Sequence, residues 1–104
     1  MGDAFGLNRE DIQSIISILE KESTIEEAII FGSRAKGNYK KGSDVDIALK
    51  GRNVNHLIIN RVSFYLNEET QMPYKFDLID KTTINNLALS EHIDRVGIPI
   101  YLRK

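Results

Sequence analysis

Two aspartates one residue apart, Asp44 and Asp46, stand ten residues after a Gly32-Ser33 pair, and these four have types and a spacing that could do chemistry. On a strand, successive side chains point to opposite faces and each residue rises about 3.3 Å, so Asp44 and Asp46 would project from one face roughly 7 Å apart at Cα. Val45, Ile47 and Leu49 would then face a core. Two carboxylates held that close repel; either one pKa rises or a cation sits between them. A hard divalent ion such as Mg2+ takes oxygen ligands and keeps phosphate oxygens and waters in its other positions. The pair therefore predicts a metal.

The residues upstream predict what the metal would accompany. A glycine lets the backbone approach a ligand closely, and the N–H groups at a helix start favour anionic oxygens. Arg34-Ala35-Lys36 are helix formers that could open a short helix directly after Gly32-Ser33. Arg34, Lys36, Lys40 and Lys41 place four positive charges between Gly32 and Ser43 in a chain whose net charge is −1. A positive field this local suits a nucleoside triphosphate better than a nucleic-acid duplex. Gly32 and Gly37 have P-loop spacing, but Asn38-Tyr39 stand where that motif requires Lys and Ser/Thr, and no GxGxxG occurs.

These residues need elements to hold them. Ile25 to Phe31 reads as a first strand that delivers Gly32-Ser33 at its C-terminal end, and Ile47-Ala48-Leu49 as a second that carries the aspartates. Before them, Asn8 can cap a helix with Glu10 and Asp11 in its first turn and Ile12, Ile15, Ile16 and Leu19 at helical spacing, ending near Glu22. Residues 1–7 read as a loose lead-in. Gly51 to Asn53 close the two-strand unit, and Ile58, Val62, Tyr65 and Leu66 mark a long helix over about 53–69. Met72-Pro73 stops it and begins an extended segment. Residues 74–79 form a third strand in which Phe76 and Leu78 share one face and Asp77 takes the other; Asp80 belongs to the turn after it. Thr82 or Thr83 can cap a last helix ending at Gly97, and Ile98 to Leu102 is a short strand that Pro99 confines to a sheet edge. Strands and helices alternate, which predicts an α/β (α+β) sandwich: a mixed sheet with helices against one face and the aspartates on the other, open face.

Composition narrows the class. A chain of 104 residues, 41% apolar and 28% charged, reads as one soluble globular domain over 1–104 with a core from about 9 to 103. With no cysteine, thiolate metal sites, a cysteine nucleophile and a disulfide framework are excluded. No apolar run reaches membrane-span length, no secretory signal pattern opens the chain, and Met1-Gly2 carries Gly6 where myristoylation wants Ser or Thr. The expectation is a cytoplasmic protein. His56 and His92, on helices without partner spacing, read as surface or boundary residues, and Lys40 and Lys41 as a solvated loop face. Tyr39 could stack on a nucleobase, although a loop tyrosine is more often structural.

Gly-Ser, ten residues and Asp-Val-Asp, with the Phe76-Asp77-Leu78 strand and the Gly97 to Tyr101 ending, resemble the polymerase-beta-like nucleotidyltransferase superfamily, and in so short a chain its minimal nucleotidyltransferase (MNT) group. The resemblance covers roughly residues 11 to 103. It implies a palm-like fold in which Asp44, Asp46 and Asp77 are catalytic carboxylates holding two Mg2+ or Mn2+ ions, while Gly32 and Ser33, with Arg34 or Lys36, bind the triphosphate of ATP. It further implies a HEPN-domain RNase toxin as partner, neutralised by transfer of AMP to a hydroxyl, with no nucleic-acid template and no membrane. The alternatives are a binding module that neutralises its partner by contact, a nucleotide sensor, and a small-molecule nucleotidyltransferase.

Overall fold

The computed structural model describes residues 5–103. In chain order the elements are α1 (Arg9–Glu20), β1 (Glu27–Phe31), α2 (Gly32–Lys36), β2 (Val45–Lys50), α3 (His56–Glu68), β3 (Phe76–Asp80), α4 (Leu87–Val96) and β4 (Ile98–Leu102). The strands form one mixed sheet in the order β3-β2-β1-β4, with β1 antiparallel to β2 and β4 and with β2 parallel to β3. The α+β class expected from the sequence is the one observed.

Local chemistry explains the helix starts. Asn8 accepts the Asp11 N–H at 2.8 Å while the Asp11 carboxylate accepts the Asn8 N–H, a capping box at the head of α1. Asn55 caps α3 by accepting from Leu57 and Ile58. The cap of α4 is Asn86, which accepts from Leu89, and not Thr82 or Thr83. Both threonines are engaged by Asp80 instead: its carboxylate accepts the Thr82 N–H and the Thr83 hydroxyl, each at 3.0 Å. Asp80 is therefore the last residue of β3, paired with Leu49, and not a residue of the turn as the sequence suggests, and the helix begins three or four residues later than the threonines suggest.

The sheet buries apolar side chains on both faces. Ala28, Ile30, Val45, Ile47, Leu49, Phe76 and Leu78 pack with Ile15 and Leu19 of α1 and Ile58, Val62 and Leu66 of α3. Leu7 joins this core with no exposed surface, so Phe5 to Leu7 are packed rather than loose; the rest of the expected lead-in lies outside the described residues. The opposite face carries Ile29, Phe31 and Ala48, covered by Ile93 of α4. The arrangement with every helix on one face therefore needs amending: α4 lies on the carboxylate face. Its sequence offers an apolar stripe, Leu89 and Ile93, that the β1–β2 face of Ile29, Phe31 and Ala48 can bury.

Two further details fix α4 and the edge. Gly97 ends the helix with ordinary extended backbone; what requires glycine is space, since a Cβ there would collide with the Ile93 carbonyl and the Ile29 side chain. β4 lies at the sheet edge, and its ladder with β1 skips Ile100, because Ala28 pairs with Tyr101 and Ile29 with Pro99. Among the described residues no helix is long and apolar enough to cross a membrane.

Candidate active site

The carboxylates gather where β1 ends and β2 and β3 begin. Asp46 is the second residue of β2 and pairs across the antiparallel ladder with Phe31, the last residue of β1. In the parallel ladder its partner is Asp77, the second residue of β3. Neighbouring strands lie about 4.8 Å apart, so these carboxylates are direct neighbours on one face. Asp44, just before β2, is exposed, as is Asp77; Asp46 is half-buried. Val45, Ile47 and Leu49 are fully buried on the other face, which is the alternation the sequence predicts.

Main-chain and side-chain bonds hold the two strand entries in register. The Val45 N–H donates to the Lys75 carbonyl at 2.8 Å. On the outer edge of β3, the Asn67 amide of α3 exchanges both of its groups with Phe76, accepting its N–H at 2.8 Å and donating to its carbonyl at 3.0 Å. Asn67 thereby imitates a neighbouring strand beside Asp77. The sequence pattern does not reveal it, because an asparagine on a helix carries no signal of a partner nine residues away.

Gly32 begins α2 with φ +74°, a region that glycine enters without a steric penalty. A Cβ at this position would overlap the Asp46 carboxylate. The main chain at Gly32 thus runs against the Asp46 side chain, a contact that the sequence does not reveal. Ser33 is partly buried beside it, and its carbonyl accepts the Gly37 N–H at 2.9 Å, closing the single helical turn. Lys36 is exposed at the end of α2, and Lys40 and Lys41 are exposed on the loop beyond.

Arg34 occupies another place than the triphosphate expected for it. It is 3% exposed. Its Nε and Nη2 donate to the Ser43 carbonyl at 3.2 and 2.7 Å, and its Nη1 donates to the Phe5 carbonyl at 2.8 Å. The guanidinium lies between the rings of Tyr39 and Tyr74, 5.2 and 5.1 Å from their centroids. Tyr39 therefore packs on Arg34, a structural contact, and keeps 37% of its surface exposed. His92 sets its ring edge-on to Phe31, with centroids 6.2 Å apart, whereas His56 is exposed at the start of α3.

Electrostatics mark Asp46. Burial first, then the charges of Asp77 and Asp44, push its carboxyl up from 3.8 to about 6, against an opposing pull from Arg34. That repulsion is what a bound cation would relieve. Among the described residues no three acidic or histidine side chains close into a ready-made metal cage. The row of Asp44, Asp46 and Asp77 instead fits a Mg2+-type ion, which is held through one or two carboxylates and completes its shell with phosphate oxygens and waters.

The mixed sheet thus brings three carboxylates together beside the Gly32-Ser33 turn. Residues 13–104 match the family described as Polymerase beta, Nucleotidyltransferase, and the chain belongs to that family. Its fold is also that of known structures. A chain of a toxin–antitoxin crystallised with AMP-PNP superposes with a TM-score of 0.72 at 18% identity, over 94% of this chain and 76% of the other. A chain from the tri-AMPylated Shewanella oneidensis HEPN toxin in complex with MNT antitoxin gives 0.70 at 16%, over 91% and 72%. The toxin–antitoxin MntA-HepT gives 0.70 at 16%, over 92% and 74%. At these identities the likeness is one of fold. No curated protein matches the sequence.

Proposed function

We propose that this chain is a metal-dependent nucleotidyltransferase that moves AMP from ATP to a hydroxyl of a partner protein, a HEPN-domain RNase toxin, and acts as its cytoplasmic antitoxin. The observation that carries the reading is the pairing of Asp46 with Asp77 in adjacent strands, with Asp44 two residues upstream and Gly32 against the Asp46 carboxylate. Family membership supports the reaction, and structures of the same fold that contain HEPN toxins, AMP-PNP and an AMPylated product support the partner and the nucleotide.

Each residue then has a task. The acceptor oxygen attacks the α-phosphorus, the bond to the β-phosphate oxygen breaks, and pyrophosphate leaves. Gly32 and Ser33 present main-chain N–H groups and a hydroxyl to the triphosphate, and Lys36 lies within the same turn to neutralise the leaving pyrophosphate. Asp77, exposed next to Asp46, receives the proton of the acceptor hydroxyl. Asp44, Asp46 and Asp77 would hold divalent cations, Mg2+ or Mn2+, which stabilise charge on the entering and leaving oxygens.

A second reading, neutralisation by contact alone, draws on Leu57, Phe64 and Tyr65, which leave 63%, 54% and 45% of their surface exposed on α3. Intact mass spectrometry separates the two. A HEPN partner incubated with this protein, ATP and Mg2+ is expected to gain one or more AMP units, and to gain none with the Asp44→Ala protein. An unmodified partner in a tight, inactive complex would overturn transfer and leave contact.

A further inference from the structure

Arg34 is a buried cation two residues after Gly32, within the stretch proposed to hold the triphosphate. A guanidinium taken out of water has to have its donors satisfied, and among the described residues their acceptors are main-chain carbonyls. Two of its nitrogens converge on one atom, the Ser43 carbonyl oxygen. The next residue is Asp44. The preceding turn is closed on itself, with the Ser43 N–H donating to the Lys40 carbonyl and the Ser43 hydroxyl accepting the Lys40 N–H at 2.8 Å. Gly42, at φ +88°, gives this turn its left-handed residue. The loop from Gly37 to Asn38 and from Lys40 to Gly42 is exposed, and its one aromatic residue, Tyr39, packs on the same guanidinium, so the chain just ahead of Asp44 is anchored through Arg34.

The third anchor comes from the far end of the sequence. Phe5 adopts φ +60°, unusual for a residue with a side chain, and turns its carbonyl to Nη1. Gly6 lies so close to the guanidinium that a Cβ there would stand 2.6 Å from Nη1 and from the Tyr39 ring. Arg34 therefore clamps three segments together: the packed residues ahead of α1, the short helix after the Gly-Ser turn, and the loop that ends at Asp44.

We propose that Arg34 is a positioning residue whose pair of hydrogen bonds to the Ser43 carbonyl sets where Asp44 stands relative to Asp46 and Asp77, and so sets the affinity of the site for a divalent cation. The inference rests on the metal-dependent reading above. A lysine cannot replace the clamp, because its point charge lacks the planar fork that addresses one carbonyl with two nitrogens. Groups one shell behind a metal ligand commonly change metal affinity by about 10- to 100-fold when removed.

The test measures Mn2+ binding to the full chain by the electron paramagnetic resonance of free Mn2+, without nucleotide or partner. Arg34→Lys keeps the charge and is expected to weaken binding about tenfold in the Asp44 protein. In an Asp44→Ala background the same substitution is expected to change binding less than about twofold, since a residue acting through Asp44 has nothing left to act on. Gly6→Ala pushes the guanidinium from outside and supplies the same comparison if Arg34→Lys does not fold; several-fold weakening that vanishes without Asp44 is expected. Binding within about twofold of the parent for a folded variant, or equal weakening with and without Asp44, would overturn the proposal. If Asp44→Ala alone binds Mn2+ like the parent, the metal reading itself fails.

Discussion

Asp46 is the residue at which the site works against the fold. Its carboxyl titrates near 6 because burial and the charges of Asp77 and Asp44 disfavour the anion. A group whose folded pKa is raised stabilises the native state while it is protonated. That contribution is complete below the ordinary value of 3.8 and is lost as pH rises through about 6. For a half-buried, solvent-screened carboxyl the amount is on the order of 1–2 kcal/mol. Asp46→Asn keeps the shape and removes the titration. In metal-free buffer at pH 8 the variant should melt higher than the parent, by about 4–8 °C per kcal/mol for a domain of this size, and at pH 4 the two should coincide. Nucleotidyl transfer by the variant should be abolished, so stability and function part at one atom pair. A variant that melts lower at pH 8, or gains as much at pH 4, would show that the three carboxylates do not strain one another.

At the scale of elements, β3 is held in place from outside the sheet. Among the described residues its outer edge has no strand neighbour, and Asn67 supplies a partner to Phe76, one residue before Asp77. Asn67→Ala would leave a partly buried N–H and carbonyl without their acceptor and donor, a loss of about 1–3 kcal/mol measurable by urea unfolding. Hydrogen exchange at the Phe76 amide should speed up while that at the central Ile30 stays slow. The faces of β2 and β3 were legible, although β3 starts at Phe76 and not at Tyr74, because alternation fixes which residues share a face: Phe76 and Leu78 inward, Asp77 outward, in step with Val45 and Ile47 around Asp46. Caps were harder to read. Thr82 and Thr83 have the chemistry of helix caps, yet Asp80 two residues earlier competes for them and Asn86 caps instead. Arg34 shows the general limit: its type announces a cation, but its partners at Phe5 and Ser43 are set by tertiary folding, which spacing does not encode. The seat of α4 on the carboxylate face was hidden for the same reason, since an apolar stripe says that a helix is buried and not on which side.

For the molecule as a whole, a net charge of −1 conceals a divided surface. Three carboxylates line the sheet face, while Lys36 at the end of α2 and Lys40 and Lys41 on the loop after it are exposed. A triphosphate entering this site brings about four negative charges against carboxylates already crowded enough to raise the Asp46 pKa. The exposed lysines, surrounded by water and salt, offset only a small part of that repulsion. Nucleotide binding should therefore be linked to a divalent cation rather than merely assisted by it. A non-hydrolysable ATP analogue in EDTA should leave the melting temperature unchanged. With Mg2+ present, the analogue at about 100 times its dissociation constant should stabilise the protein by about 2.7 kcal/mol. Mg2+ alone should give a smaller rise, because the ion's remaining positions are completed by phosphate oxygens. Equal stabilisation by the analogue with and without the cation would place the triphosphate on the lysine loop, away from the carboxylates, and would separate nucleotide binding from the row of aspartates that defines the site.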